Sequence, residues 1–463
     1  MGLGRYLFGL GCLALSVGAQ ASSFEDWLVL QKSRSENKMF ENIGPKGATR
    51  GAVVASPSRQ NPNYFFHWVR DASLVMGEVV SKYEDVAPAL CKNAFGQLVW
   101  DFVDFSAQNQ NTSNPSGDVG EPKFMADGTP FLEPWGRPQN DGPALRAITL
   151  IRWANQLINE GHRDWVHEKL YRAELPTQSV IKIDLEFVAN HWSKPSYDIW
   201  EEVSGKHFYT RMVQRRALVE GAALARRLHD EEAAKHYDRA RKDLEIEINY
   251  HHDYGREIIL TTIDRNAGID YKHTNLDTAT ILGVLHGETQ DGFFALSSDV
   301  VLNTALELEK SFRKLYPIND GAQGAVAMGR YPEDTYDGYH TSGLGNPWFI
   351  TTHAMAEYYY RLRAELNEKG KIHITPVNRI FYQSLADRVL SNTVEIHRND
   401  SAFARILKGL FEKGDEYLER SRYHSPQDGS LAEQINRVHG FNQGARDLTW
   451  SYSSFLTALR ARR

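Results

Sequence analysis

The chain has 463 residues, 41% hydrophobic and 24% charged, with a formal net charge of −6. This balance is that of a soluble globular protein able to bury a sizeable core, and it gives no electrostatic basis for binding nucleic acid. No CxxC, HExxH or Gly-rich phosphate loop occurs, so neither metal nor cofactor is expected.

Along the chain, the first feature is a targeting segment. Arg5 supplies a positive start, Leu7 to Val17 a short apolar run, and Ala19-Gln20-Ala21 a small-residue cleavage site. Cleavage after Ala21 and export, secreted or periplasmic, are expected, because the run is too short to span a bilayer. Cys12 lies too early in the run to favour a lipid anchor, and its loss leaves Cys91 alone. The exported fold must then rest on its core without a disulfide, and Cys91 reads as a buried, inert thiol.

Helical periodicity dominates the remainder. Residues 143–160 place Leu145, Ile148, Leu150, Ile151, Ala154 and Leu157 mostly three and four apart. Residues 209–228 and 231–249 predict two antiparallel helices, with Asp230 capping the second. Further helices are predicted over 69–83, 86–109, 163–175, 277–286, 298–313, 347–369, 376–394, 402–421 and 446–462, with Pro347 and Pro376 each at a first helical position. Between them run long Gly, Pro, Asp and aromatic-rich segments over 56–68, 111–142, 188–208, 318–346 and 421–445. No linker divides the chain, so one domain is expected from residue 22 to 463.

Aromatics are abundant, with 21 Tyr, 21 Phe and 10 Trp, many of them in polar loops. Pyranose rings present apolar faces to such side chains while their hydroxyls need polar partners. Five segments combine the two. Tyr64-Phe65-Phe66-His67-Trp68-Val69-Arg70-Asp71 sets aromatics before an Arg-Asp pair that could equally be a helix-start ion pair. Trp135-Gly136-Arg137-Pro138-Gln139-Asn140-Asp141-Gly142-Pro143 is a rigid loop around an indole, a site or a loop anchor. Asp198-Ile199-Trp200-Glu201-Glu202-Val203 places two carboxylates beside an indole at the mouth of a helix. Burial there would raise a carboxyl into the range of a general acid; the bland alternative is a pair of first-turn acids. Gly329-Arg330-Tyr331-Pro332-Glu333-Asp334-Thr335-Tyr336, followed by Gly345-Asn346-Pro347-Trp348, includes an acidic turn. Leu431-Ala432-Glu433-Gln434, with Ala445-Arg446-Asp447-Leu448-Thr449-Trp450-Ser451-Tyr452 after it, supplies a distant carboxylate or a surface glutamate. Two carboxylates joined by folding suggest glycosidic bond hydrolysis.

In this order and spacing the five segments resemble those of the glucoamylases of glycoside hydrolase family 15, over about residues 50–460. The resemblance implies an all-α (α/α)6 barrel and an exo-acting, inverting hydrolase of α-1,4-glucans, with a glucan oligosaccharide or polysaccharide as its partner and a monomeric state. It implies Glu201 as general acid, Glu433 as general base and Glu202 as a substrate-holding carboxylate. Trp68, Arg70 and Asp71 would form the first sugar subsite, with Arg330 a second sugar-binding arginine. Trp135, Trp200 and Trp348 would be wall aromatics, and Tyr64 would position the water. The chain departs from the pattern at Ala432 and His67, by an insertion over 338–344, and by having no starch-binding module after the barrel. Hydrolases of the same architecture acting on α-1,6-glucan or trehalose, and an inactive glucan-binding protein, are the alternatives.

Overall fold

The computed structural model describes residues 23–463 apart from 86–88, 323, 387–389 and 391–393, and leaves the side chains of 89–91 undescribed. The expected signal segment and the burial of Cys91 therefore lie outside what is described. The helices in chain order are α1 (Phe24–Glu41), α2 (Val69–Asp85), α3 (Ala89–Asn111), α4 (Asp141–Asn159), one-turn α5 (Arg163–Trp165), α6 (Val180–His191), α7 (Phe208–Arg227), α8 (Glu231–Asn249), α9 (Ala279–Gly287), α10 (Asp299–Leu315), α11 (Phe349–Lys369), α12 (Arg379–Ala386), α13 (Ser401–His424) and α14 (Thr449–Ala461).

Two kinds of helix alternate along the chain. Helix α8 buries Ala233, Ala234, Tyr237, Ala240, Leu244 and Ile248, a single stripe at three- and four-residue spacing, and leaves its charged face to solvent. Helix α11 is buried on every side from Phe349 to Tyr360, so it must lie inside. The inner helices α2, α4, α7, α9, α11 and α14 pack each against the next, and α14 closes on α2. The outer helices α3, α6, α8, α10, α13 and α1 back them in the same order. This is the expected (α/α)6 barrel. Asp230 caps α8 as predicted, accepting the Ala233 N–H at 3.2 Å.

Several boundaries differ from the sequence reading. Helix α1 was not predicted because its buried face includes Gln31 and Ser35, which interrupt the apolar period. Helix α6 was missed for a related reason: its buried face carries Lys182 and Asp184, neutralised by Asp230 at 2.6 Å and Arg146 at 2.6 Å. The helix expected over 163–175 stops after a π-helical turn, Val166–Leu170. Pro347 precedes the α11 N-cap, Trp348, and its carbonyl accepts the Ile435 N–H at 2.8 Å, so it belongs to extended chain. Pro376 likewise lies before α12, in a turn where Thr375 Oγ1 accepts the Val377 and Asn378 N–H groups at 3.2 Å.

Short strands brace the loops: β1 (Phe66–Trp68) with β2 (Lys123–Met125); β4 (Val203–His207) between β3 (Ser196–Tyr197) and β7 (Thr262–Gly268); β5 (His252–Asp253) with β6 (Ile258–Ile259); β8 (Lys371–Ile374) with β9 (Val394–His397); and β10 (Gln434–Ile435) with β11 (Asn442–Gln443). Strand β9 takes Val394, the last residue of the helix expected over 376–394. Arg70 and Asp71 open α2, Trp348 precedes α11 and Trp450 opens α14, and all four line one cavity. The cavity thus sits where N-termini of inner helices converge, and their partial positive ends favour negative charge there.

Candidate active site

The Asp198–Val203 segment is a turn between β3 and β4, not the mouth of a helix. Asp198 Oδ1 accepts the Glu202 N–H at 2.7 Å and the Val203 N–H at 3.1 Å, and the Asp198 carbonyl accepts the Glu201 N–H at 2.9 Å. These bonds hold Glu201 at φ +68°, in the left-handed region, a strained conformation of the kind that concentrates at functional sites. Behind the turn, the buried Lys272 ammonium binds Asp198 at 3.3 Å and Asp277 at 2.7 Å, and Asp277 accepts the Trp200 indole N–H at 2.9 Å. One buried cation therefore fixes both the turn and its wall indole.

Gly136 packs against this turn so closely that a Cβ added there would meet the Glu201 carbonyl oxygen at 2.5 Å. Backbone cannot yield as a flexible side-chain tip can. Gly136→Ala is expected to destabilise the fold by about 1–3 kcal/mol and to lower kcat by displacing Glu201. Thermal unfolding and steady-state kinetics check this; a variant with wild-type kcat and Tm contradicts it.

The Glu201 carboxylate is gripped from several segments. Its Oε1 accepts the Trp68 indole N–H at 2.7 Å, the Gln139 amide at 3.1 Å and Arg70 at 3.4 Å, and its Oε2 accepts the Trp135 indole N–H at 3.0 Å. Arg70 also donates to Gln139 at 2.8 Å and Asp141 at 3.0 Å, and lies 3.5 Å from Asp71. Burial pushes the Asp71 carboxyl up to about 6 against the pull of Arg70, with the Glu201 and Asp141 charges adding to the rise. Gln139, quoted only as part of a motif in the sequence, turns out to bridge Arg70 to Glu201.

Glu202 points to a different set of partners. It accepts Arg330 at 2.8 Å and the Tyr331 hydroxyl at 2.6 Å, while Arg330 is held by Asp334 at 2.8 and 2.5 Å. Burial raises the Glu202 carboxyl and Arg330 opposes the rise. The Arg330 guanidinium lies 5.5, 5.3 and 5.4 Å from the ring centres of Trp200, Trp348 and Tyr336, a cation walled by aromatics. Among the described residues, the adjacent Glu201 and Glu202 carboxylates share no side-chain donor.

Glu433 follows Ala432 at the entry to β10 and is 1% exposed. Burial pushes its carboxyl up to about 8; the Tyr64 and Tyr336 hydroxyls and the Arg330 charge pull the other way. Tyr336 donates to Glu433 at 3.3 Å and pairs with the Tyr64 hydroxyl at 2.9 Å. Tyr64 in turn packs tilted against Trp68, ring centres 5.4 Å apart.

The three glutamates, with Arg70, Asp71, Arg330, Tyr64 and Tyr336, border one cavity of about 370 Å³. Its lining includes every residue singled out in the sequence for a role: Tyr64, Trp68, Arg70, Asp71, Trp135, Trp200, Glu201, Glu202, Arg330, Trp348 and Glu433. Sequence reasoning assigned no role to Tyr336, although it ends one of the quoted segments. Thr341 also lines the cavity, so the 338–344 segment contributes to the pocket.

The model of the family described as glycosyl hydrolases family 15 matches residues 33–460. A glucoamylase of Blastobotrys adeninivorans is 39% identical over 441 residues, covering 93% of this chain and 70% of that protein. A probable glucoamylase of Schizosaccharomyces pombe is 33% identical, covering 99% of this chain and 96% of the other. The solved glucoamylase of Saccharomycopsis fibuligera superposes with a TM-score of 0.86 at 31% identity, over 97% of each chain. With its barrel and its lined cavity, the chain belongs to glycosyl hydrolases family 15.

Proposed function

We propose that the protein hydrolyses α-1,4-glucosidic bonds from non-reducing ends of malto-oligosaccharides and α-glucans, releasing β-D-glucose with inversion. The observation that carries this reading is one cavity lined by Glu201 and Glu433, each held by its own set of donors, amid indoles and arginines suited to a pyranose. The glucoamylases among its relatives support the substrate class.

Glu201 acts as general acid. Oε1 already accepts three donors and Oε2 only the Trp135 N–H, so Oε2 is the oxygen with room for a transferable proton. As the leaving bond breaks, that proton passes to the glycosidic oxygen, and the N–H donors stabilise the carboxylate left behind. Glu433, once ionised, takes a proton from water attacking the opposite face of the ring; Tyr64 and Tyr336 favour its ionised form and orient the water. Arg70 and Asp71 bind hydroxyls of the terminal sugar, and Glu202 with Arg330 holds the next. Inversion requires the two carboxyl groups to stand roughly 6.5–9.5 Å apart, leaving room for the water. We read residues 22–463 as one catalytic domain, exported after cleavage following Ala21.

The test is a sugar panel with anomer-resolved NMR. Glucose from maltotriose, but not from isomaltotriose or trehalose, with the β anomer appearing first, is the expected result. Release of α-glucose would overturn inversion, and preference for isomaltotriose or trehalose would overturn the linkage assignment.

A further inference from the structure

Behind the indoles that hold Glu201 lies a buried lysine. Lys123 stands directly opposite Trp68 in the β1–β2 pairing, which turns its side chain inward, and it is 2% exposed. Its Nζ lies 3.4 Å from the ring centre of Trp135, 3.8 Å from Phe131, 4.4 Å from Phe66 and 4.5 Å from Trp68. The four rings interlock by their edges, with centres 5.3–6.1 Å apart. Among the described residues, the ammonium has no hydrogen-bond or ion-pair partner. The charged groups nearest in influence are Glu201 beyond the indoles, and Glu121 and Arg137, which pair with each other at 3.1 Å.

Stability alone gives a poor account of this arrangement. Taking an ammonium out of water is costly, and aromatic faces return only part of the hydration it loses. A methionine would fill the same cage with no charge to desolvate. Burial lowers the Lys123 ammonium to about 8, with Glu201 opposing the fall, so the side chain still carries its proton at neutral pH.

The charge does have an effect on the site. A cation on the face of an indole draws electron density from the ring and leaves its N–H a stronger donor. Both indole N–H groups that grip Glu201 belong to this cage. We propose that Lys123 is a positioning residue for the hydrolysis: its ammonium locks the Trp68–Trp135 pair in place and strengthens the N–H donors that stabilise the Glu201 carboxylate as its proton leaves. The inference rests on the reading of Glu201 as general acid.

Lys123→Met keeps the volume and removes the charge, whereas Lys123→Arg keeps the charge. Lys123→Met is expected to lower kcat on maltotriose about tenfold with KM little changed, and to move the high-pH limb of the rate profile upward. Lys123→Arg should recover most of both. Equal losses in the two variants with an unmoved limb would overturn the proposal in favour of simple packing.

A second measurement uses the unsubstituted enzyme and so does not depend on either variant folding. The Nε1–H resonances of Trp68 and Trp135 should shift with pH in step with the ¹³Cε resonance of Lys123. Indoles that ignore the lysine titration overturn the inference. If the indoles follow the lysine but Lys123→Met leaves the high-pH limb unmoved, the assignment of Glu201 as acid fails, and with it the role proposed for Lys123.

Discussion

Glu201→Gln is expected to lower kcat on maltotriose by about 10²–10⁴-fold while leaving maltose affinity within a few-fold. Glutamine keeps the volume, and its carbonyl can still accept the Trp68, Gln139 and Arg70 donors that now converge on Oε1. Its NH2 group faces the Trp135 N–H in place of Oε2, a mismatch of one hydrogen bond, and it carries no proton to transfer. The role can be separated from general damage by changing the leaving group. Fluoride departs without protonation, so on α-glucosyl fluoride the deficit should shrink to about tenfold or less. An equal deficit on both substrates would mean that Glu201 is not the acid.

The same comparison should come out differently at the other carboxylate. Glu433→Gln is expected to lose about 10²–10⁴-fold on maltotriose and on α-glucosyl fluoride alike, because water must be deprotonated whichever group leaves. It should also stabilise the fold at neutral pH. The Glu433 carboxyl sits at about 8 in the folded chain against 4.5 when unperturbed. Below 4.5 the group is neutral in both states and makes no difference. Between 4.5 and 8 the unfolded chain ionises while the folded chain does not, and stability falls as pH rises. By pH 7 the cost is on the order of 3 kcal/mol. Glutamine removes it, so the variant's Tm should exceed that of the parent at pH 7 and match it at pH 4. A variant less stable than the parent at pH 7 would show that Glu433 is held ionised in the empty pocket. A stabilising loss of activity is the signature of a group placed for reaction at the expense of the fold.

Both experiments concern carboxylates whose residue type and surrounding motif are plain in the sequence, but whose environments are not. The Asp198–Val203 stretch shows the difference. Its composition marks Glu201 and Glu202 as a chemical centre. Nothing local shows that Asp198 would fold the stretch into a turn, that Glu201 would take a left-handed φ, or that the two carboxylates would divide between Trp68–Trp135 and Arg330–Tyr331. Those partners lie roughly 60 to 130 residues away, and only the closed ring of inner helices brings them within bonding distance. The clean helices, such as α4 and α8, were legible because their apolar residues repeat at helical spacing. Helices α1 and α6 were not, since Gln31, Ser35, Lys182 and Asp184 are buried through contacts with one another or with distant residues, and a buried polar pair reads as a solvated face. Lys123 is the limiting case: by sequence it is one more charged loop residue, and only its place opposite Trp68 makes it a cation enclosed by four rings. The helices and the sugar-like character of the aromatic, acidic loops could be read from the sequence because hydrophobic period and motif composition are local properties, and the barrel and the individual site residues followed from the resemblance those motifs carry. Tertiary structure alone decided which donor serves which carboxylate and which charges are buried, because those depend on contacts between segments that the chain keeps far apart.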